Sequence, residues 1–454
     1  MTDLSNIIKA YDVRGLVPEQ LDAEVAKALG AAFARFVGAP TIVIARDMRE
    51  SGVDLTQAFA DGVNAQGVDV VDSGLGSTDL LYYAAGSMGV PGAMFTASHN
   101  PAEYNGIKLC LAGAKPVGQD TGLAQIRAEA ERFLDEGGVP EAGTGSVTQR
   151  DLLPAYADFV KGLVLGLDAI RPLKVVVDAG NGMGGHTVPA VFTGLPLDVV
   201  PLYFELDGSF PNHEANPIDA ENLRDLQAKV IETGADLGLA FDGDADRCFV
   251  VDEKGGIVSP SVLTALIAAR ELARMPGSIV IHSVITSRCV PEVIREHGGT
   301  PVATRVGHSF IKAEMAKHNA VFGGEHSGHF YFRDFWNADS GMLAALHALA
   351  ALGGQSGPLS GLLSEYDRYV ASGEINSTVA DSAAKVGDIR TRYAEHVQDE
   401  TDGLTVDLGD GAWFNVRPSN TEPLLRLNVE ARDEATMVRV RDELLALIRG
   451  TGAH

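Results

Sequence analysis

Three aspartates alternate along the segment Asp242-Gly-Asp244-Ala-Asp246-Arg247, between the apolar runs LGLAF (237–241) and CFVV (248–251). Carboxylate oxygens are hard ligands, and their density here predicts that Asp242, Asp244 and Asp246 bind Mg²⁺. A calcium EF-hand loop would match these aspartates and Glu253 at its twelfth position, but it needs glycine where Arg247 stands, and its flanks should be helical. An acidic surface turn would leave the apolar flanks unexplained. The segment therefore predicts a magnesium loop between two buried strands.

The segment TASHNP (96–101) places a hydroxyl, an imidazole and an amide at the end of another apolar run. Taken alone, these residues favour a simple serine or asparagine turn, in which Ser, Asn and Pro are common. The following NGIK segment (105–108) brings the cation of Lys108 back toward the same loop. A cation beside a hydroxyl and a metal site predicts phosphoryl transfer to Ser98.

A third polar loop, GGEHSGH (323–329), combines a carboxylate, a hydroxyl and two imidazoles, which suit the hydroxyl groups of a sugar. Zinc held by Glu325, His326 and His329 is the competing interpretation, although a glycine-flanked loop lacks the rigid spacing that zinc sites prefer. Just upstream, Gly307 and His308 end a strand-like run.

Two basic segments remain. RPSNTEP (417–423) joins the Arg417 guanidinium to the polar side chains of Ser419, Asn420 and Thr421, which predicts a phosphate cradle, with an ordinary polar turn as the alternative. Near the N-terminus, KAYDVRG (9–15) adds Tyr11 and Arg14 to a second basic element.

A long-period repeat positions these loops. Each of three passages contains a β-branched strand run, a helix-like stretch, a second strand run and a third that ends in a polar loop. The three sets are 41–47, 68–74 and 92–101; 174–180, 197–203 and 237–247; and 278–284, 300–307 and 320–329. Alternating strands and helices predict doubly wound α/β sheets whose ligands gather beyond the strand ends.

The remaining chain predicts a smaller α+β domain, with a helix near 381–398, three strand runs and a terminal amphipathic helix over 434–449. Glycine-rich and turn-rich stretches place the domain boundaries. The expected domains are 1–146, 147–253, 254–366 and 367–454. If the three α/β loops face a common cleft, one site draws on all of them.

The chain has 454 residues, and its 36 basic against 61 acidic side chains leave a formal charge of −25. Such a surface should repel nucleic acid and anionic membranes, so an anionic substrate needs a local basic pocket. Three cysteines without a paired spacing favour a reducing compartment. With no basic-then-apolar leader, and with the apolar stretch 341–353 interrupted by His347, we expect a soluble cytoplasmic protein.

In this order, KAYDVRG, TASHNP, DGDADR, GEHSGH and RPSNTEP resemble the motifs of the α-D-phosphohexomutase superfamily, and in particular its bacterial phosphomannomutase and phosphoglucomutase branch. The resemblance spans essentially the whole chain. It implies three related mixed α/β domains and a C-terminal α+β domain around a central cleft. It departs at Thr286–Arg288, where some relatives carry a nearby lysine that binds phosphate.

The resemblance also implies roles for the motif residues. Ser98 matches the phosphoserine, and a serine phosphate oxygen completes the Mg²⁺ site of the three aspartates. Reacting groups are expected around His99, Lys108, Arg247 and His308. Substrate contacts are expected at Tyr11, Arg14, Gly307, Glu325, Ser327, His329, Arg417, Ser419, Asn420 and Thr421.

The implied activity is interconversion of mannose 6-phosphate and mannose 1-phosphate, extending to the glucose phosphates, through a hexose 1,6-bisphosphate that also serves as activator. His326 between Glu325 and Ser327 resembles the mannose and glucose group rather than the glucosamine group. A phosphoglucosamine mutase, a Mg²⁺-dependent sugar phosphatase and a non-catalytic phosphosugar-binding protein are the alternatives. Lys108, His308 and His329 are the candidates for the group that transfers a proton to and from the sugar hydroxyl, and the sequence does not rank them. The expected partners are phosphosugars alone, for a monomer or weak homodimer.

Overall fold

The structure is a computed structural model that describes residues 2–419 and 424–450 of the chain. The chain divides into two units. The first comprises residues up to Val258 together with Ser327–Ser360, and the second comprises Ser259–His326 together with the residues from Gly361 onward.

The first sheet lies in the first unit and contains seven strands. They are β1 (Val13–Leu16), β2 (Thr41–Arg46), β3 (Asp69–Leu75), β4 (Gly92–Phe95), β5 (Tyr104–Leu111), β6 (Lys115–Pro116) and β7 (Val147–Gln149). Their order is β1-β5-β4-β2-β3-β7, with β6 paired to β5. The neighbours β4, β2, β3 and β7 run parallel, whereas β5 is antiparallel to both β1 and β4.

Helices accompany this sheet: α1 (Ala23–Val37), α2 (Ser51–Asn64), α3 (Thr78–Met88) and α4 (Leu123–Asp135). Alternate residues of β2, such as Ile42 and Ile44, share one buried core with Phe33 of α1, Phe59 of α2 and Phe133 of α4. Side chains alternate along a strand, so Val43 and Ala45 lie on the opposite face of β2, and they are also buried. Because both faces are buried, β2 is a continuous apolar run in the sequence.

The second sheet, also in the first unit, repeats this arrangement. Its elements are α5 (Leu153–Leu163), β8 (Leu173–Asp178), α6 (Gly184–Phe192), β9 (Leu197–Leu202), α7 (Arg224–Thr233), β10 (Leu237–Phe241), β11 (Cys248–Asp252) and β12 (Ile257–Val258). The order is β12-β11-β10-β8-β9. Strand β8 lies between its parallel neighbours β10 and β9, as β2 lies between β4 and β3 in the first sheet. The antiparallel strand β11 follows β10, as β5 follows β4.

The third passage lies in the second unit and contains α8 (Pro260–Arg274), β13 (Ile279–Ser283), α9 (Cys289–Glu296), β14 (Thr300–Thr304), α10 (His308–His318) and β15 (Phe322–Gly324). Strand β13 again lies between two parallel neighbours, β14 and β15. The repeat predicted from the sequence is therefore confirmed in the strand order, and antiparallel strands make the first two sheets mixed.

The chain then returns to the first unit. There β16 (Phe330–Phe332) and β17 (Ala338–Asp339) pair antiparallel, and α11 (Gly341–Gly353) follows. Helix α11 is buried almost all round, and the ring of its His347 stacks on Phe332 with centroids 5.3 Å apart. This explains the apolar stretch noted in the sequence. Each helix described in residues 2–419 and 424–450 is too short or too polar to span a bilayer.

The C-terminal part of the second unit is an antiparallel sheet covered by helices. After α12 (Leu359–Leu363) come β18 (Val370–Thr378), α13 (Ser382–Arg392), β19 (Val397–Asp399), β20 (Leu404–Gly409), β21 (Ala412–Pro418), β22 (Leu424–Ala431) and α14 (Glu434–Arg449). The strand order is β18-β22-β21-β20-β19. On α14, Met437, Val440, Leu444 and Ile448 pack into the core at helical spacing.

The helix predicted over 381–398 was too long. Helix α13 ends at Arg392, and Val397–Asp399 instead form the edge strand β19, in which Val397 pairs with Val406 of β20. The pairing of Val397–Asp399 with β20 outweighs the weak helical preference of these three residues. The terminal helix predicted over 434–449 is confirmed as α14.

Candidate active site

The loop after β4 holds Ser98 in a constrained conformation. Its φ angle is +49°, in the left-handed region that non-glycine residues rarely adopt, and the residue is only 5% exposed. The backbone N–H of Ser98 donates to Thr96 Oγ1 at 2.9 Å. Its hydroxyl donates to Asp242 Oδ2 at 3.0 Å. This hydrogen bond joins the serine loop after β4 to the aspartate loop after β10, within the first unit.

The three aspartates converge within that loop. Asp242, Asp244 and Asp246 are fully or almost fully buried, and one carboxylate oxygen from each lies within 4.8 Å of the others. Ala245, with φ +57°, makes the turn that allows alternate residues to face one point. Among the described residues, the Oδ1 atoms of Asp244 and Asp246 have no hydrogen-bond partner. Buried carboxylate oxygens without donors cost free energy, so this donor set fits a hard divalent cation.

The flanks exclude the calcium-loop alternative. The loop joins two antiparallel strands, with Phe241 paired to Cys248, rather than two helices. Glu253, which an EF-hand would direct to the cation, instead accepts a hydrogen bond from the backbone N–H of Ser360 at 3.0 Å. The aspartates therefore form their own site without Glu253.

Two cations partly balance the carboxylates. Lys108 Nζ lies 2.7 Å from Asp244 Oδ2 and 2.7 Å from Asp246 Oδ2, and Arg247 Nε donates to Asp242 Oδ2 at 2.9 Å. The ionised carboxylates carry −3 and these cations +2, which leaves −1 before a divalent cation binds and +1 afterwards. A site that becomes positive on metal binding suits a phosphoryl group.

The pKa shifts follow from burial and these pairs. Burial raises the pKa of Asp242 to about 7, with Arg247 opposing the shift and the other two aspartates adding to it. Burial also disfavours the charge of Asp244, but the attraction and hydrogen bond of Lys108 outweigh this effect and lower its pKa. Burial opposes the charge of Lys108, yet Asp244 and Asp246 hold its pKa well above the usual range. Lys108 therefore stays cationic.

His99 contacts the serine and Arg247. Arg247 Nη2 lies 2.8 Å from His99 Nδ1, and Ser98 Oγ lies 3.1 Å from the same nitrogen. Since a guanidinium can only donate, Nδ1 is the acceptor and Nε2 carries the proton. Although the residue is exposed overall, desolvation, followed by the charges of Arg247 and Arg14, lowers the pKa of His99 to about 3. The imidazole is neutral at physiological pH.

The N-terminal basic element lies beside this loop. Strand β1 pairs with β5, placing Arg14 opposite Gly106, and its guanidinium donates to the Asn100 side chain and to Asp12 Oδ2 at 2.6 Å. Tyr11 lies three residues earlier and is partly buried. The structure thus brings Arg14 to the Ser98 loop through sheet pairing.

His329 joins the same cluster from the returning segment of the first unit. Its Nδ1 lies 2.9 Å from Asp339 Oδ2 and 3.9 Å from Asp246 Oδ1. Burial disfavours its charged form, but Asp246 and the hydrogen bond to Asp339 raise its pKa. Ser327 precedes it and is partly buried. The carboxylate of Asp339 orients the imidazole, which leaves Nε2 for chemistry.

The remaining predicted residues lie in the second unit. Glu325 is buried and its Oε1 accepts from the backbone N–H of Gly307 at 2.9 Å. His308 begins α10. His326 has its pKa lowered by burial and by Arg417 and Arg426. The loop beyond β15 therefore lies near the basic strands β21 and β22.

The predicted phosphate cradle is built around a shared carboxylate. Arg417 is 5% exposed and Nη2 donates to Glu374 Oε2 at 2.7 Å, while Arg426 Nη1 lies 3.4 Å from Glu374 Oε1. Arg417 and Arg426 stand opposite each other on β21 and β22. Arg426 also donates to Ser419 Oγ at 3.4 Å. The predicted cradle residues Asn420 and Thr421 lie outside the described residues.

Several residues of these clusters were missed from the sequence. Thr78, at the start of α3, donates through its backbone N–H to Asp244 O at 3.0 Å and through its hydroxyl to Asp244 Oδ2 at 2.6 Å. Asp339, Glu374 and Arg426 sit in segments without a dense chemical motif. Thr78 could have been placed from the sequence at the start of a helix, because the preceding Ser77 is a typical helix N-cap after a predicted strand.

Comparison with known proteins identifies the family. The four phosphoglucomutase/phosphomannomutase family models match in order: α/β/α domain I at residues 5–134, domain II at 154–256, domain III at 260–369 and the C-terminal domain at 374–447. The chain belongs to this family. The resemblance and the four-domain α/β fold class are thereby confirmed, and a phosphohexomutase of this family is an enzyme of the isomerase class. The boundaries expected after 146, 253 and 366 stay predictions.

Individual relatives agree with the family match. A Salmonella typhimurium phosphomannomutase is 41% identical over 461 aligned positions, covering 99% of this chain and 100% of the relative. Phosphohexose mutases from Xanthomonas campestris are 41% identical over 97% of this chain and 99% of their own. A solved phosphoglucomutase/phosphomannomutase family protein from Burkholderia thailandensis superposes with TM-score 0.87 at 35% identity, covering 100% of this chain and 99% of that one.

Proposed function

We propose that this chain is a phosphomannomutase that interconverts mannose 6-phosphate and mannose 1-phosphate and that also accepts the glucose phosphates. The observation that carries the proposal is the Ser98 hydroxyl, 3.0 Å from Asp242 within a buried cluster of three aspartates, with Lys108 bound to the other two. A nucleophile, a cation site and fixed positive charge are what phosphoryl transfer requires. Full-length relatives at 41% identity support the mannose phosphates.

Asp242, Asp244 and Asp246 would hold Mg²⁺ together with an oxygen of the phosphorylated Ser98, and the bound ion would withdraw charge from the transferring phosphoryl group. The protein supplies the rest of the charge. Lys108 and Arg247 are fixed by their carboxylate partners before substrate arrives, so their positive charge needs no reorganisation during the reaction.

His329 is our choice for the proton-transfer group. Lys108 is engaged by two carboxylates, whereas the Nδ1–H of His329 donates to Asp339 and leaves Nε2 as an acceptor. In the first half-reaction the Oγ–P bond of phosphoserine 98 breaks, a bond from phosphorus to the sugar oxygen forms, and the hydroxyl proton passes to Nε2. The second half-reaction returns phosphoryl and proton at the other end of the sugar.

The intermediate is a hexose 1,6-bisphosphate, which must turn so that its other phosphate faces Ser98. Arg417 and Ser419, with Asn420 and Thr421, hold the phosphate that is not being transferred. Arg14 and Tyr11 contact the reacting phosphate side, and Gly307, His308, Glu325 and Ser327 read the sugar. The same bisphosphate serves as activator, because an unphosphorylated Ser98 needs a phosphoryl donor.

Phosphosugars are the expected partners, for a monomer or weak homodimer in the cytoplasm. The formal charge of −25 disfavours nucleic acid, and the three cysteines, which are buried and unpaired, suit a reducing compartment.

The test is a panel of mannose, glucose, glucosamine and N-acetylglucosamine 1-phosphates with Mg²⁺ and trace glucose 1,6-bisphosphate. We expect the 6-phosphate of mannose to form fastest, followed by glucose, with no net release of inorganic phosphate. Preferred turnover of glucosamine 1-phosphate would favour the phosphoglucosamine mutase. Stoichiometric phosphate release without bisphosphate dependence would identify a phosphatase instead.

A further inference from the structure

A single buried arginine binds the backbone of the serine loop. Arg49 is 1% exposed and follows β2, the strand next to β4. Its Nη1 donates to the carbonyl oxygens of Pro101 and Tyr104 at 2.8 and 2.9 Å. Its Nη2 donates to the carbonyl oxygens of Ser98 and Asn100 at 3.0 and 2.7 Å. One guanidinium therefore links four carbonyls within seven residues.

The surroundings hold this guanidinium in place. Asp47 is fully buried, and its Oδ2 lies 3.3 Å from Arg49 Nε. The ring of Phe210 covers the guanidinium, with its centroid 5.2 Å from Cζ. The backbone of Gly208 also approaches closely, since a Cβ added there would lie 3.0 Å from Arg49 Cα. The ion pair, the aromatic ring and the close backbone thus restrict the position of Arg49.

The loop needs such support because of the conformation of Ser98. A non-glycine residue at φ +49° is strained and persists only where its neighbours impose it. The carbonyl of Ser98 itself is one of the four that Arg49 binds. The direction of Ser98 Oγ toward Asp242 depends on that backbone conformation.

We infer that Arg49 is a positioning residue for phosphoryl transfer, which holds the Ser98 loop in the one conformation that directs Oγ to the aspartate cluster. This inference rests on the proposed function. It predicts that loss of the guanidinium fork lowers turnover rather than sugar binding, since Arg49 is 1% exposed and its terminal nitrogens donate to the loop backbone. Lysine cannot replace it, because one ammonium has three donors and lacks the planar fork that spans four carbonyls.

The test compares Arg49→Lys with Arg132→Lys, a control at an exposed arginine of α4 that contacts Glu129, Glu136 and the ring of Phe133 on its own helix. For Arg49→Lys, we expect kcat to fall about ten- to a hundredfold in both directions, while KM for mannose 1-phosphate stays within about threefold. The rate at which glucose 1,6-bisphosphate phosphorylates Ser98, followed by intact-mass spectrometry, should fall by the same factor. The control should match wild type.

A folded Arg49→Lys protein with lower thermal stability but wild-type kcat and phosphorylation rate would overturn the inference, because the arginine would then be merely structural. If Arg49→Lys does not fold, Phe210→Leu takes its place in the same assays. It removes only the aromatic cover, so we expect kcat to fall about threefold with KM unchanged. Unchanged kcat in Phe210→Leu would equally overturn the inference. Wild-type protein that neither accepts phosphoryl nor turns over mannose phosphates would refute the proposed function itself.

Discussion

Replacing Arg417 by alanine tests whether one cradle holds the non-reacting phosphate in both orientations of the intermediate. A charge-assisted contact of a guanidinium to a phosphate contributes roughly 1.5–3 kcal/mol. The structure adds a second effect, because Arg417 also neutralises Glu374 at 2.7 Å. Without the arginine, that carboxylate faces the phosphate.

The second effect can be sized. Two unit charges about 6 Å apart repel by roughly 3 kcal/mol at an effective dielectric constant of 20. Glu374 is partly exposed and keeps Arg426 at 3.4 Å, so screening reduces the repulsion to about 1–2 kcal/mol. Together the two effects predict a loss of about 2.5–5 kcal/mol, or between roughly seventyfold and a few thousandfold in kcat/KM.

The assay is steady-state kinetics with mannose 1-phosphate and with mannose 6-phosphate, at saturating glucose 1,6-bisphosphate so that loss of priming is not mistaken for loss of binding. Arg417→Ala should be impaired in both directions. Arg417→Ala combined with Glu374→Gln should recover about tenfold, because the unbalanced carboxylate is gone. Arg390→Ala, at an exposed arginine of α13, is the control that should match wild type.

A defect confined to one direction would show that Arg417 serves one phosphate position only, and the single-cradle mechanism would be wrong. Failure of Glu374→Gln to recover any activity would refute the electrostatic part of the argument.

Three further predictions concern the first unit. Ser98→Ala should abolish phosphoryl uptake from glucose 1,6-bisphosphate while leaving the melting temperature close to wild type, and retained turnover would refute the assignment of the nucleophile. Asp244→Asn should raise the Mg²⁺ concentration needed for half-maximal activity by roughly tenfold or more, as seen by metal titration, and an unchanged titration would place the metal elsewhere. His213 contacts two acceptors, Asp178 Oδ2 at 3.0 Å and Glu214 O at 2.8 Å, and Asp178 overcomes burial to raise its pKa. Because the pKa of His213 is raised in the folded state, its pair with Asp178 stabilises the protein fully below the unfolded-state pKa, and this stabilisation is lost as pH rises through the folded-state pKa. His213→Gln should therefore lower the free energy of unfolding, measured by urea titration, by roughly 1–2 kcal/mol at pH 5.5 and by less at pH 9.

The amino-acid sequence alone determined the strands of the three-fold repeat and the chemically dense loops at their ends. Apolar runs and alternating carboxylates are local patterns, so β2, β8 and β13 and the segment Asp242–Asp246 could be read without coordinates. The order of the motifs was enough to indicate the family. The segment 397–399 was misread as helix, because its pairing with β20 is a contact that helical preference does not encode.

Only the tertiary structure decided which groups support those loops. Arg49 reaches the serine loop because β2 lies beside β4, and Thr78 reaches Asp244 across 166 residues of chain. Asp339 orients His329, and Glu374 links Arg417 to Arg426, through strands that become neighbours only in the folded sheets. These residues carry no motif of their own. Their roles arise from strand order and burial, which bring single charged side chains to positions that sequence spacing does not specify.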